Sequence, residues 1–194
     1  MARRRTMRVR GPAALIAALA AAAVAYWTAR QPPSGVPTQG TVTEAVDGDT
    51  LHIRADGAEH TIRLIGVDTP ELHDSDKLER DAARTGQDKR TIQALGRRAR
   101  DFTRSLAEGK SCRLDYDPAN AANGHRDKYG RLLAYVFVPA EGGSEVLVNA
   151  QIIRMGFGAA LTTYPYDDGR KAEFLRLQRE ARSRKRGLWG EWKP

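Results

Sequence analysis

Short stretches of β-type sequence separated by turns constrain most strongly what this chain can fold into. The stretches cover residues 42–46, 50–55 and 60–67. Asp47 and Gly48 form a turn signal between the first two, and Asp56 and Gly57 form a hairpin signal between the second and third. Pro70 ends the last stretch, because proline has no N–H group to donate to a neighbouring strand. The pattern predicts a β-meander.

Helical periodicity and two further strands follow in the second half of the chain. Apolar residues recur at helical spacing before Gly109, and two shorter apolar stripes end at Gly156 and Gly187. Glycine is typical of the position just past a helix end, so three helices are predicted. Residues 112–116 and 132–138 are typical of strands. We therefore expect an α+β protein with a mainly β core and five strands.

The N-terminus is typical of a targeting segment. Five arginines among the first ten residues precede an uncharged, alanine-rich run from Pro12 to Trp27, and Ala23-Val24-Ala25 offers a cleavage site for a signal peptidase. The run is long for the apolar region of a signal peptide and short for a bilayer span, so residues 1–30 are either a cleaved signal or a membrane anchor. We expect the protein to be exported, and to be periplasmic, extracellular or anchored in the inner membrane facing outward.

A proline-containing stretch follows the targeting segment. Residues 31–40 are predicted to be an extended linker, because prolines fix its backbone, and residues 41–190 to be the folded domain.

The full chain has a net charge of +8, but six arginines within residues 1–30 account for most of it. Bulk charge is therefore weak support for nucleic-acid binding. Basic residues also crowd residues 176–186, where a solvated helix face and a phosphate-steering patch both remain open.

The strongest chemical signal lies between residues 47 and 71. Two carboxylates (Asp47 and Asp49) are followed by Arg63 inside an apolar strand and then by Asp68-Thr69-Pro70-Glu71. Each pattern alone is common, as a turn, a structural ion pair or a helix start. Together they supply hard oxygen ligands, a guanidinium group and a spare carboxylate, which metal-assisted cleavage of a phosphodiester requires.

Three segments look like the signatures of the staphylococcal nuclease (thermonuclease) family. They are VDGDT at residues 46–50, RLIGVDTPE at residues 63–71 and DKYGR at residues 127–131. The resemblance extends from about Thr41 to Trp189. It implies a five-stranded OB-fold barrel with three helices. It also implies a calcium-dependent nuclease that acts on DNA and RNA.

The resemblance also implies roles for individual residues. Asp49 and Asp68 are candidate Ca²⁺ ligands by their chemistry, and similarity to the family adds the backbone carbonyl of Thr69. Arg63 and Arg131 can each present a planar fork to phosphate oxygens, and by resemblance Glu71 is the base that activates water. Four further residues match family positions that contact nucleotide: Lys128, Tyr129, Tyr164 and Tyr166.

One segment departs from the family pattern, and one alternative function stays open. Residues 72–91 are rich in both charges and nearly devoid of apolar residues, so a mobile loop or a short solvated helix is expected there. The alternative is a non-catalytic OB-fold module that binds nucleic acid or a protein partner, because this barrel hosts both functions. We expect a monomer with DNA or RNA as its substrate, and contact with a membrane only if residues 1–30 are not cleaved.

Overall fold

In the computed structural model, which describes residues 34–194, five strands close into a barrel. The strands of the chain are β1 (Gln39–Ala45), β2 (Thr50–Ala55), β3 (Ala58–Leu64), β4 (Val67–Asp68), β5 (Ser111–Asp115), β6 (Leu132–Pro139), β7 (Glu145–Leu147) and β8 (Ala159–Ala160). The helices are α1 (Asp76–Thr85), α2 (Lys89–Ala107), α3 (Val148–Arg154) and α4 (Asp168–Ser183). Two short 3₁₀ helices span Pro118–Asn123 and Glu141–Gly143.

The barrel is closed by a parallel pairing of β3 with β6. Strands β1, β2 and β3 form the predicted meander, and β1 also pairs with β5, which pairs with β6. Ile62 then lies opposite Leu132, and Leu64 opposite Ala134. β7 adds a sixth strand outside the ring, on the free edge of β6. The predicted five-stranded barrel is confirmed.

The third predicted strand is broken where the candidate site begins. The sequence predicts one strand over residues 60–67, but β3 ends at Leu64 and the chain resumes as β4 at Val67. The reason is Gly66, whose φ of 74° lies in the left-handed region that favours glycine. The break turns Asp68 away from the barrel sheet and into a separate pairing with β8.

Apolar side chains fill the barrel and a second, smaller core. The inward residues of β2, β3 and β6 are fully buried, as alternation along strands predicts. Buried Asn149 on α3 links strand β6 to the backbone just after β3. It accepts from the Val136 amide at 3.0 Å and donates to the Ile65 carbonyl at 2.9 Å. The smaller core joins α2 and α4 to the chain end; it comprises Leu95, Ala99, Ala159, Ala181, Leu188, Trp189 and Trp192.

The charged segment 72–91 forms a helix and a connection, so residues 34–194 contain four α-helices where three were predicted. Ser75 caps α1 by accepting from the Leu78 amide, and Gly86 ends the helix. Leu78 is the only buried residue of α1. The sequence had left open a mobile loop or a short solvated helix, and the helix is what forms.

The predicted signal or anchor over residues 1–30 lies outside the described residues. Within residues 34–194, no helix combines the length and apolarity that crossing a bilayer requires.

Candidate active site

Asp49 is the most enclosed carboxylate of the predicted site. It lies just before β2 and is 6% exposed. Its Oδ2 atom accepts hydrogen bonds from the amide and the hydroxyl of Thr69, each at 3.1 Å, and its Oδ1 atom accepts from the Thr50 hydroxyl at 3.2 Å. The β1–β2 turn and the end of β4 are therefore joined at this carboxylate.

Arg63 pairs with Asp49 inside the barrel wall. Its Nη2 atom lies 3.0 Å from the Asp49 Oδ2 atom, and its Nη1 atom donates to the carbonyls of Val67 at 2.9 Å and Leu64 at 3.1 Å. The structural ion pair that the sequence left open is thus present. The same contacts hold the guanidinium group in one orientation at the edge of the site.

Asp68, Thr69 and Glu71 meet around an ammonium group that the sequence did not point to. The Nζ atom of Lys77 lies 3.4 Å from the Asp68 Oδ1 atom and 3.0 Å from the Glu71 Oε1 atom. It also lies 3.2 Å from the Thr69 carbonyl oxygen and 3.1 Å from the Asp81 Oδ2 atom. Two predicted metal ligands and the predicted base therefore share one cation, which α1 supplies.

The site has an excess of negative charge. Burial raises the pKa of Asp68, and the nearby Lys77 charge offsets this only in part. Burial and the adjacent Asp49 charge raise the pKa of Asp47 to about 7. Neighbouring carboxylates repel each other when both are ionised, and a bound cation offsets this repulsion. The site is thus electrostatically suited to a cation.

The oxygen donors fit a hard divalent cation. Asp49, Asp68 and the Thr69 carbonyl supply only oxygen, the ligand type that Ca²⁺ prefers. Within residues 34–194, no three His, Cys, Asp or Glu side chains converge closely enough to form a complete metal cage. A cation at this position would therefore depend on the backbone carbonyl and on water for its remaining ligands.

Arg131 lies at the entrance to β6, on a turn of its own. Its Nε and Nη2 atoms each lie 2.7 Å from the Asp127 Oδ2 atom. The other oxygen of Asp127 accepts from the amides of Tyr129 and Arg131, which fixes the turn. The β3–β6 pairing places this turn beside the strand that carries Arg63. Among the described contacts, none joins Arg131 to Asp49, Asp68 or Glu71 directly.

The residues predicted to contact nucleotide fall into two groups. Tyr129 and Tyr164 are 72% and 67% exposed, and Lys128 lies over the Tyr129 ring at 4.9 Å. These rings are free to stack with a base. Tyr166 is instead buried, with its ring 6.2 Å from that of Phe174. The structure does not support the substrate-contact assignment of Tyr166, because packing against α4 removes its ring from solvent.

Two residues outside the sequence motifs support Glu71. Ser75 donates from its hydroxyl to the Glu71 Oε2 atom at 3.0 Å while capping α1. Gly96 of α2 lies against the backbone of Glu71, where an added Cβ atom would come within 2.6 Å of the carbonyl oxygen. A serine before a polar helix is a known capping signal and could have located Ser75. No sequence signal locates Gly96.

Comparison with known proteins agrees with this architecture. The profile of the staphylococcal nuclease homologue family matches residues 61–191. A thermonuclease of Staphylococcus intermedius is 32% identical over 148 residues, which cover 76% of this chain and 74% of that protein. An uncharacterized protein of Methanocaldococcus jannaschii is 32% identical over 153 residues, covering 77% and 70%. The endonuclease YncB of Bacillus subtilis is 30% identical over 153 residues, covering 78% and 61%.

The fold and the acidic, arginine-flanked site define a nuclease-type barrel. The chain belongs to the staphylococcal nuclease homologue family.

Proposed function

We propose that this protein is a calcium-dependent nuclease that hydrolyses phosphodiester bonds of DNA, RNA or both with little sequence specificity. The observation that carries the proposal is the convergence of Asp49, Asp68 and Glu71 around Thr69, beside the Arg63 guanidinium group. Family membership and the nuclease names of relatives support it.

The carboxylates would hold the cation, and the arginines would bind the substrate. Asp49, Asp68 and the Thr69 carbonyl are the proposed ligands of Ca²⁺, which when bound supplies positive charge to the phosphate oxygens. Arg63 and Arg131 offer planar donor groups to the same anionic oxygens as charge develops on them. Each arginine exchanges at least part of its present aspartate pairing for a phosphate when the substrate binds.

Glu71 is positioned to act as the general base. Its Oε2 atom accepts the Ser75 hydroxyl, and its backbone packs against α2, so the carboxylate is oriented from two sides. In the proposed reaction Glu71 accepts a proton from the attacking water. Lys128, Tyr129 and Tyr164 are the proposed contacts for the rest of the nucleic acid, since their side chains are accessible or lie on an accessible turn.

The test is digestion of plasmid DNA and of RNA by the full chain, with CaCl₂ and with excess chelator. We expect cleavage only with Ca²⁺, and a fall in kcat of about 10²–10⁴-fold in Glu71→Gln. Glu79→Gln is the matched control, because Glu79 lies in the same charged segment but pairs with Lys89 outside the site. Undiminished digestion in chelator would remove the calcium assignment.

A non-catalytic nucleic-acid-binding module is the second candidate. It is favoured by the aspartate partners that occupy both arginines, Asp49 on Arg63 and Asp127 on Arg131. In that case the full chain would shift DNA or RNA in a gel without cutting it. Glu71→Gln would then bind as wild type does.

We also propose that the protein acts outside the cytoplasm, attached by or released from residues 1–30. The support is the sequence alone: an arginine-rich start before an uncharged apolar run. Fractionation of expressing cells with N-terminal sequencing tests this. A new start near Tyr26 indicates a cleaved signal, and an intact chain in the membrane fraction indicates an anchor. An intact, soluble, cytoplasmic protein would contradict the proposal.

A further inference from the structure

The ammonium group of Lys77 lies at the end of the acidic site formed by Asp68 and Glu71. Three of its four oxygen contacts belong to groups with proposed roles in the reaction: Asp68, the Thr69 carbonyl and Glu71. The fourth is Asp81, one turn further along α1. An ammonium ion with four oxygen neighbours at 3.0–3.4 Å makes the kind of contacts that these oxygens would otherwise make with a bound cation.

Lys77 lies at close range to two carboxylates. Its Nζ atom is 3.4 Å from the Asp68 Oδ1 atom and 3.0 Å from the Glu71 Oε1 atom, so both negative charges attract the ammonium group. The side chains of Asp68 and Glu71 are 22% and 25% exposed, so water screens this attraction only in part. The protein itself therefore supplies part of the positive charge that this end of the site requires.

The helix that carries Lys77 is attached to the rest of the protein mainly through polar contacts. Leu78 is the only buried residue of α1. The outer face is held by exposed pairs, such as Arg84 with the Pro194 carbonyl at 2.8 Å and Glu79 with Lys89. Exposed ion pairs contribute little to stability and exchange readily with water. Withdrawal of the Lys77 side chain, or a small shift of α1, thus leaves the barrel core intact.

We propose that Lys77 is an internal counter-ion of this site, and that Ca²⁺ binds only as the Lys77 ammonium group withdraws from Asp68, Thr69 and Glu71. The inference rests on the proposed calcium dependence and goes beyond it. Lys77 then competes with the metal: it offsets part of the negative charge of the site when Ca²⁺ is scarce, and it lowers the affinity of the site for Ca²⁺. By linkage, Ca²⁺ and the Lys77 contact each weaken the other by the same factor.

Calorimetric titration of the full chain with CaCl₂, without nucleic acid, tests the competition. Lys77→Met keeps the length and apolar stem of the side chain but removes its charge. We expect this variant to bind Ca²⁺ about tenfold more tightly or better, because two cations a few ångström apart repel each other in a partly buried site. Lys77→Arg keeps the charge and is expected to stay within about threefold of wild type.

Lys89→Met is the matched control. It removes the same charge from the same segment, but Lys89 pairs with Glu79 and has no contact with the site. Its Ca²⁺ affinity should equal that of wild type. Circular dichroism without Ca²⁺ confirms that each variant is folded, and Lys77→Gln replaces Lys77→Met if the latter is not.

Amide hydrogen exchange supplies a readout that does not depend on affinity. In wild type, Ca²⁺ should speed exchange across residues 78–85 as the Lys77 contacts are lost, whereas in Lys77→Met the rates there should not rise. Slower or unchanged exchange of α1 in wild type would overturn the proposal.

The possible failures are distinguishable. Equal Ca²⁺ affinity in wild type and Lys77→Met overturns the counter-ion proposal and leaves the calcium-dependent nuclease standing. If neither protein binds Ca²⁺, the metal assignment fails and the counter-ion proposal fails with it.

Discussion

Asp49 and the pair formed by Asp68 and Glu71 lie at two ends of one site, yet they are neutralised in different ways. The positively charged partner of Asp49 is Arg63, which belongs to the barrel wall and also donates to two backbone carbonyls. The positively charged partner of Asp68 and Glu71 is Lys77, which lies on a helix with only one buried residue. The first arrangement is part of the folded core, and the second is an addition at its surface.

The two ends differ in how easily a ligand can replace their ion pairs. Removing Arg63 leaves Asp49 buried without a charge partner, which is costly because a buried carboxylate cannot recover its solvation. Removing Lys77 leaves carboxylates that are closer to water and open to another cation. We therefore expect the backbone at the Asp49 end to keep its position when ligand binds, and α1 at the Lys77 end to move.

The largest effect is expected at the rigid end. Arg63→Lys should lower kcat by about 10²–10³-fold, because a lysine cannot reproduce the planar donor fork toward a phosphate. The measurement is plasmid cleavage at saturating Ca²⁺, with urea unfolding to confirm the fold. Arg113→Lys is the control; Arg113 pairs with Asp115 and with Glu145 on other strands. Near-normal turnover in Arg63→Lys would leave Arg63 a purely structural ion pair.

A second prediction tests how the base is held against the core. Gly96→Ala should destabilise the protein by about 1–3 kcal/mol, because the new methyl group would lie 2.6 Å from the Glu71 carbonyl oxygen. Helix propensity alone predicts the opposite sign, since alanine favours a helix by about 1 kcal/mol over glycine. Arg97→Ala, at the next and exposed position of α2, should be nearly neutral. Urea unfolding of the three proteins decides between these signs, and a stabilised Gly96→Ala would show that α2 does not press on Glu71.

The barrel half of this comparison was largely predictable from sequence. Turn signals and alternation predicted the meander, because these signals are local or follow from pairing neighbouring strands. The resemblance of three motifs to one family grouped Asp49, Asp68 and Thr69 as candidate ligands. The break of β3 before Val67 was missed, because an apolar run with one glycine does not show whether that glycine takes a positive φ.

The other half depended on tertiary contacts that no local pattern reports. Segment 72–91 has almost no apolar residues, so periodicity gave little basis for placing α1 or for aiming Lys77 at the site. The burial of Tyr166 was missed for the related reason that a loop tyrosine looks the same in sequence whether it faces solvent or the core. Only the packing of Phe174 of α4 against it distinguishes the two.

Two helix caps offer a third prediction, of smaller size. Ser75→Ala removes the cap of α1 and should cost about 1 kcal/mol of stability. It should also lower kcat, because Glu71 loses its hydroxyl donor. Asp88→Ala removes the corresponding cap of α2, because the Asp88 side chain accepts from the Thr91 amide. This variant should lose stability without a change in kcat. Equal kcat in the two variants would mean that the Ser75 contact does not orient the base.

The smallest effect concerns a buried histidine. Burial lowers the pKa of His125, and the nearby Asp117 offsets this only in part. Its Nδ1 atom has no hydrogen-bond partner within residues 34–194. Lys77 is the opposite case, because the attraction of nearby carboxylates outweighs the effect of burial on its pKa. As the pH falls below about 6.5, histidine in the unfolded chain gains a proton that His125 in the folded chain resists. Stability is therefore lost on acidification.

His125→Asn should reduce this loss. Asparagine tolerates the φ of 56° at this position, so the backbone can stay as it is. We expect the free energy of unfolding to fall less between pH 7.5 and 5.5 in the variant than in wild type, as measured by urea unfolding at both values. Lost packing against Tyr116 acts equally at both pH values and cancels in that difference. An identical fall in both proteins would show that His125 accepts its proton in place, so that burial does not exclude the charge there.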